Sequence, residues 1–369
     1  MKIALIYLGR RGAGGPISLA LGRALGQTLA EQVEVSAYLS TGLESRLAWS
    51  TAPFPVHPVT TYAGAFDAAW TLVLPRRIRA LAAQVRAWGP DALFFPMFHP
   101  WNAALQRDLA PIPAIVMVHD PRPHPGLAGR LYARFENASL RSAAHCLILS
   151  RALRPELERR GVPAEKITVV PHGVLDYPAA PRPAAPPGQT LLFLGRITPY
   201  KGLEVLLAAF ERLSLRRPAL RLCIAGEGSL APYHNALARL RNVEVINRWL
   251  DDSEIGPLFG RASLVVLPYT SASQSGVLAA AAGFGLPVIA TRTGGLPEQI
   301  QSGETGLLVA PGSVEELAAA IERLLDDPAL ASALGAALKQ EFEQNRNWDE
   351  TAALILRVCR QIQSGNGRR

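Results

Sequence analysis

Apolar residues fall into short runs, each closed by glycine, proline or a polar cluster, and between the runs they recur at helical spacing. Lys2–Leu8 reads as a buried strand, 9–15 as a glycine-rich turn, and the positions through Leu29 as a helix. Val33–Leu39, Ala92–Phe95, Ala114–Val118 and Cys146–Leu149 are further runs of strand length. Ile78, Leu81, Ala82, Val85 and Trp88 recur at i, i+3, i+4, i+7 and i+10, which predicts an amphipathic helix. Strands alternating with helices in this way predict an α/β fold with a doubly wound parallel sheet.

The alternation stops at Pro178, Pro181, Pro183, Pro186 and Pro187, where five prolines cannot continue a helix or a central strand and so predict a linker. It restarts with strand-like runs at Leu191–Leu194, Leu220–Ala225, Val243–Ile246, Leu264–Leu267 and Pro287–Ala290. Two α/β domains are expected, 1–180 and 181–347, with ligands at the carboxyl ends of the strands in the cleft between them. A last helix, 348–361, follows a break at Asn345–Asn347 and is free to cross back onto the first domain.

Length and composition agree with two packed cores: 369 residues, 49% hydrophobic and 18% charged. Mean hydropathy is +0.13, yet no stretch approaches the ~18 apolar residues that a membrane span needs. The opening Met1–Tyr7 is too short for a signal peptide, and a cytoplasmic protein is expected. Cys146, Cys223 and Cys359 lack metal or disulfide spacing and read as buried thiols; His99 and His124 likewise lack ligand spacing, and no metal is assigned. The net charge of +8 is concentrated in residues 1–180, where 19 basic residues meet 12 acidic ones. Such a half attracts anions, although 34 of the 38 basic residues are arginine, which also fits an Arg-rich coding style. A nucleic-acid role is not supported, because no aromatic residues interleave with the basic ones. Arg76, Arg77, Arg79 and Arg86 on the amphipathic helix offer peripheral contact with an anionic membrane, or else a solvated helix face.

Candidate chemistry lies in the turns. Gly195-Arg196-Ile197-Thr198-Pro199-Tyr200-Lys201-Gly202 follows a strand and precedes a helix, so two cations flank a tight turn at a helix N-terminus and suit a diphosphate. It is not a Walker A loop, since Gly202 stands where Ser or Thr would hold magnesium. Gly12-Ala13-Gly14-Gly15-Pro16 could bring backbone N–H groups to phosphate or sugar, or serve only as a turn; Ile17 excludes the dinucleotide fingerprint. His119-Asp120 ends a strand, where an imidazole can hydrogen-bond a hydroxyl, stabilise developing charge or act structurally. Ser271–Val277 opens an alanine-rich helix and reads as an anion-binding end or an ordinary cap by Ser273 or Ser275. Thr293–Glu298 and Thr305–Val309 read as turn-rich segments.

In this order, these segments resemble the retaining, GT-B-fold glycosyltransferases of family 4 over nearly the full chain. Ile224–Gly228, Val265–Tyr269, Gly285–Thr291, Gly294–Glu298, Thr305–Val309 and the stretch Gly161–Val174 carry the resemblance with the Arg196–Lys201 turn, Gly14-Gly15 and His119-Asp120. The resemblance implies two Rossmann-like domains: an N-terminal one that binds the acceptor and a C-terminal one that binds a nucleotide-sugar donor, with the last helix packed back on the first. It implies catalytic roles for Arg196 and Lys201 on the leaving diphosphate and for His119 near the donor sugar. Donor binding falls to Gly14, Gly15, Gly195, Gly226, Glu227, Gln274, Ser275, Gly276 and Val277. Trp249 and Leu250 lie in the segment whose backbone holds the base. No metal or other cofactor is implied. The implied reaction transfers a sugar with retention to a glycan or lipid-linked acceptor, in bacterial surface polysaccharide or glycoconjugate biosynthesis. The family's two glutamates, eight residues apart, register here on Ala272 and Ala280. That departure leaves a second reading beside the transferase: a catalytically degenerate homologue that binds sugar nucleotides or acts as a scaffold.

Overall fold

The computed structural model describes residues 1–62, 75–120, 127–177 and 189–366; the predicted linker at 178–188 and His124 lie outside them. The chain divides into two compact units, Met1–Pro171 with Trp348–Arg369, and His172–Asn347.

In the first unit, β1 (Lys2–Tyr7), β2 (Glu34–Ser40), β3 (Val56–Val59), β4 (Ala92–Phe95), β5 (Ala114–Val118), β6 (His145–Ile148) and β7 (Ile167–Val169) form one parallel sheet. Their order is β3-β2-β1-β4-β5-β6-β7. Residues of β4, β5 and β6 are buried throughout, which explains why these strands read as continuous apolar runs rather than alternating ones. The two strands absent from the sequence reading lie at the edges. β3 carries Pro58, tolerated only where a ladder donor is not needed, and β7 has three residues.

Helix α1 (Gly14–Arg23) continues as a π-helical turn, Ala24–Thr28, so the expected helix through Leu29 ends in a distorted turn. Helix α2 (Arg76–Trp88) buries Ile78, Leu81, Ala82 and Val85 and stops at Gly89 in a left-handed conformation, as its spacing predicts.

In the second unit, β8 (Thr190–Leu194), β9 (Arg221–Ala225), β10 (Val243–Ile246), β11 (Leu264–Leu267), β12 (Val288–Thr291) and β13 (Leu307–Val309) line up as β10-β9-β8-β11-β12-β13. β13 corrects the reading of Thr305–Val309 as a turn: Ile289 pairs with Leu307 and Thr291 with Val309. Each sheet thus starts at its centre and winds outward both ways, and the strand order reverses between β1 and β4 and between β8 and β11. Ligands of such sheets bind beyond the carboxyl ends at that reversal. Helices α3 (Leu203–Ser214) and α4 (Gly276–Gly283) follow β8 and β11.

The first unit ends at Pro171 rather than at residue 180, because His172–Tyr177 pack with α4. A Cβ added to Gly276 would lie 3.3 Å from Leu175 Cδ1, and one on Gly283 would lie 2.9 Å from Val174 Cγ1. Helix α5 (Trp348–Asn366) belongs to the first unit and outruns the predicted 348–361. It buries Ala352, Ile355, Leu356 and Cys359, and Arg360 donates to Gln32 Oε1 at 2.8 Å. Thr28 Oγ1 also donates to Asp349 at 2.5 Å, which ties the helix start to the turn after α1. All three cysteines are buried free thiols, and burial pushes Cys146 up to about 12. Among the described residues no helix is long and apolar enough to cross a membrane.

Candidate functional site

Glycine brings the loops of the second unit together. Gly195 (φ +123°) and Gly226 (φ +139°) close β8 and β9, and a Cβ on Gly226 would lie 2.2 Å from the Gly195 carbonyl oxygen. A side chain there would force the two strand ends apart. Ile197 N–H donates to Glu227 O at 2.9 Å, and Gly228 N–H donates to Asn247 Oδ1 at 3.1 Å, which adds the loop after β10. That loop carries Trp249 and Leu250, both half-buried, while Glu227 itself is exposed. Gly202 (φ +66°) sits so close to the loop after β11 that a Cβ would lie 1.9 Å from Pro268 O. Thr270 N–H closes the same contact on Tyr200 O at 2.9 Å. The start of α4 joins them, since Val277 Cγ2 lies 3.9 Å from the Cβ position of Gly195. The carboxyl-end loops of β8, β9, β10 and β11 and one helix N-terminus therefore meet.

This junction is positively charged. Arg196 is exposed, and Lys201 Nζ lies 3.7 Å from the centre of the buried Tyr269 ring. Neither forms an ion pair among the described residues, whereas Arg212, Arg217, Arg239, Arg248, Arg261 and Arg292 of the same unit each hold a carboxylate. Two cations without counter-ions, beside the positive end of a helix, suit a ligand with several negative charges.

The helix end corrects one expectation. Ser275 caps α4, its Oγ accepting from Leu278 N at 3.3 Å, but its own N–H donates to Gln299 Oε1 at 2.8 Å. Gln299 Nε2 in turn donates to Ser275 O at 3.4 Å. Ser275 N–H is therefore not a phosphate donor. Gly276 and Val277 supply the first-turn N–H groups, which a helix cannot bond internally. Gln299, buried after the Gly294–Glu298 segment, is a residue that the sequence reading missed, and nothing in its spacing marks it. Ala272 and Ala280 are both buried, and Gly294, where a Cβ would meet Ala272 O at 1.5 Å, presses the next loop against Ala272.

In the first unit Gly14 and Gly15 open α1 instead of forming the loop before it. The left-handed glycine of that turn is Gly12, at φ +83°. A Cβ on Gly14 would lie 2.7 Å from the Tyr7 hydroxyl, and one on Gly15 would lie 2.2 Å from Ser45 Oγ, so close packing demands both glycines. His119 Nε2 is 2.9 Å from Pro96 O. A carbonyl only accepts, so Nε2 carries the proton and Nδ1 is left as an acceptor. Burial lowers the imidazole from 6.5 to about 4, against a smaller opposing effect of the Pro96 bond. His119 is thus neutral near pH 7, which suits accepting a hydroxyl proton and not stabilising negative charge. His99, on the loop after β4, is buried and lowered to about 3, its Nδ1 accepting from Trp101 N–H at 3.2 Å. Among the described residues no cluster of three His, Cys, Asp or Glu side chains could hold a metal ion.

Comparison with known proteins shows the family and the fold. Residues 17–173 match the family model for the glycosyl transferase 4-like domain, and 188–327 match the model for glycosyl transferases group 1. A glycogen synthase of Mycobacterium tuberculosis is 30% identical over 311 residues, covering 79% of this chain and 75% of that protein. A D-inositol 3-phosphate glycosyltransferase of Pseudarthrobacter chlorophenolicus is 40% identical over 178 residues, 45% of this chain and 41% of the relative. Anabaena HepE in complex with UDP shares the fold at TM-score 0.70 and 18% identity, with 100% of both chains covered. A sucrose-phosphate synthase of Thermosynechococcus elongatus does so at TM-score 0.72 and 21% identity, with 99% of each covered. The chain belongs to the group 1, family 4 glycosyltransferases of GT-B fold, hexosyltransferase-type enzymes that use nucleotide-sugar donors.

Proposed function

We propose that this enzyme transfers a hexose from a nucleoside-diphosphate sugar, with retention and without a metal, to a glycan or lipid-linked hydroxyl in bacterial surface polysaccharide or glycoconjugate biosynthesis. The observation that carries the reading is the pair Arg196 and Lys201, free of carboxylates where glycine brings the strand-end loops together. As the bond from sugar to phosphate breaks, negative charge grows on the departing diphosphate. The guanidinium, the ammonium and the N–H groups of Gly276 and Val277 stand ready to take it without reorganising. That fixed charge does the work of a divalent cation. The loop after β10, with Trp249 and Leu250, receives the base, and Glu227 and Gly226 shape the approach to it. His119 of the first unit offers Nδ1 as an acceptor for a hydrogen bond from a sugar hydroxyl, and Gly14 and Gly15, at the start of α1, are the donor-binding positions that the family resemblance assigns to that unit.

Relatives named for glycogen synthesis favour a glycan hydroxyl as acceptor. Arg76 and Arg79, exposed on α2 with no partner among the described residues, support peripheral contact with anionic lipid near a cytoplasmic membrane face. The test is to incubate the protein with labelled nucleoside-diphosphate hexoses, with and without EDTA, and to follow diphosphate release and product anomer by NMR. Release that persists in EDTA, with the donor's anomeric configuration kept, is the expected result. Inversion, or release that requires added metal, contradicts it.

A further inference from the structure

Three polar atoms on the converging loops of the second unit are buried and have no hydrogen-bond partner among the described residues: Thr198 Oγ1, Tyr269 Oη and Gln274 Oε1. Thr198 lies between Arg196 and Lys201, Tyr269 is wholly buried beneath Lys201, and Gln274 immediately precedes the cap of α4. Their loops touch, through Thr270 N–H on Tyr200 O and through Gly202 against Pro268. A buried polar atom left without a partner is costly, so native proteins rarely leave one unless something else supplies the bond.

The three atoms differ in what they need. The hydroxyls of Thr198 and Tyr269 can donate, and a phosphate oxygen would satisfy either. Gln274 Oε1 can only accept, and so can every phosphate oxygen, so the diphosphate cannot be its partner. It needs a ligand hydroxyl or N–H. Ala272 and Ala280 present no carboxylate that could take that donor instead, and the clamp of Gln299 on both backbone groups of Ser275 fixes the chain next to Gln274.

We propose that Gln274 is the specificity-determining contact for the transferred hexose, its carboxamide oxygen accepting from one sugar hydroxyl. The proposal rests on the donor reading above. A site built to bond a hydroxyl rejects a ligand that lacks it, because its own polar atom is then left buried and unpaired.

The experiment is isothermal titration of the full chain with UDP, GDP and ADP, each beside UDP-glucose, GDP-mannose or ADP-glucose. For the nucleotide that binds, Gln274→Met is expected to weaken the nucleotide sugar at least tenfold more than the bare diphosphate. Gln274→Glu retains the accepting oxygen but repels phosphate, so it weakens both ligands and keeps their ratio near the wild-type value. Equal loss on both ligands in Gln274→Met, or no loss on either, overturns the proposal. If wild type binds none of the nucleotides, the donor reading itself has failed, and that outcome is seen before any variant is made. Should Gln274→Met not fold, singly deoxygenated hexose donors titrated into wild type test the same contact. One missing hydroxyl must cost about tenfold or more, and a series with no sensitive position overturns the proposal.

Discussion

Arg196 and Lys201 form no ion pair among the described residues, unlike Arg212, Arg217, Arg239, Arg248, Arg261 and Arg292 of the same unit, and His119 differs from an ordinary surface histidine in that burial holds its imidazole down at about 4. The first property is half-legible in sequence. The spacing of the two cations around a turn shows there, whereas the absence of a counter-ion depends on which carboxylates fold nearby. The second is not legible at all, because desolvation is a property of the folded surroundings. It has a measurable consequence. With His119 at about 4, kcat/KM is expected to show no inflection near 6.5 and to fall only as pH approaches 4. The same shifts act on stability. His99 and His119 titrate in the fold below their unfolded value of 6.5, so between the folded values and 6.5 the unfolded chain binds more protons. Stability is therefore complete above pH 6.5 and is lost as pH falls through that window. Urea unfolding at pH 7 and pH 5 should show the loss, and His99→Phe should reduce its pH dependence; an unchanged slope in that variant would remove His99 from the account.

At the scale of elements, the site depends on a helix end whose fixing residue lies elsewhere in the sequence. Ser275 as cap, and the small residues that follow it, were readable from local pattern. The Gln299 clamp was not, because it joins positions 24 apart in the chain through two hydrogen bonds. Gln299→Leu removes both partners from buried backbone groups. It is expected to lower unfolding free energy by about 1–3 kcal/mol and to weaken nucleotide binding, although Gln299 is not among the proposed ligand contacts. Paired thermal denaturation and titration measure the two effects, and a variant as stable and as tight-binding as wild type would contradict the clamp. The missed strands have a similar cause: β3, β7 and β13 have three or four residues, and β3 contains a proline. Such strands form because a neighbour offers a ladder, and their own sequence shows little of it.

For the whole molecule, two doubly wound parallel sheets followed from the alternation of apolar runs, while the return of α5 to the first unit was only left open by the break before Trp348 and was implied by the family resemblance. The unit boundary did not follow, because a run of prolines predicts only that regular elements stop, and packing decides which core each residue joins. Val174 and Leu175 are apolar and meet α4, so they count with the second unit. The return of α5 predicts that Ile355→Ala, fully buried, destabilises the first unit by about 2–5 kcal/mol. A calorimetric scan should show the transition of that unit moved down, and an unshifted transition would mean that α5 is peripheral to its core. The basic half makes a second prediction at this scale. Arg76→Ala with Arg79→Ala should reduce sedimentation with phosphatidylserine vesicles, by about 1 kcal/mol for each charge, and leave neutral vesicles unaffected. Equal sedimentation with neutral and anionic vesicles would remove membrane contact from the reading.

The loops around Arg196, Lys201 and α4 are proposed to bind a nucleoside diphosphate. The most direct test of that binding is a thermal-shift series with UDP, GDP, ADP, TDP and CMP against wild type and the Arg196→Ala/Lys201→Ala variant. A ligand at about 100 times its dissociation constant stabilises by ~2.7 kcal/mol, several degrees for a chain of this size. A shift with a nucleoside diphosphate that disappears in the double variant is the predicted result. An equal shift in the two proteins, or none in wild type with any of the five, would contradict it.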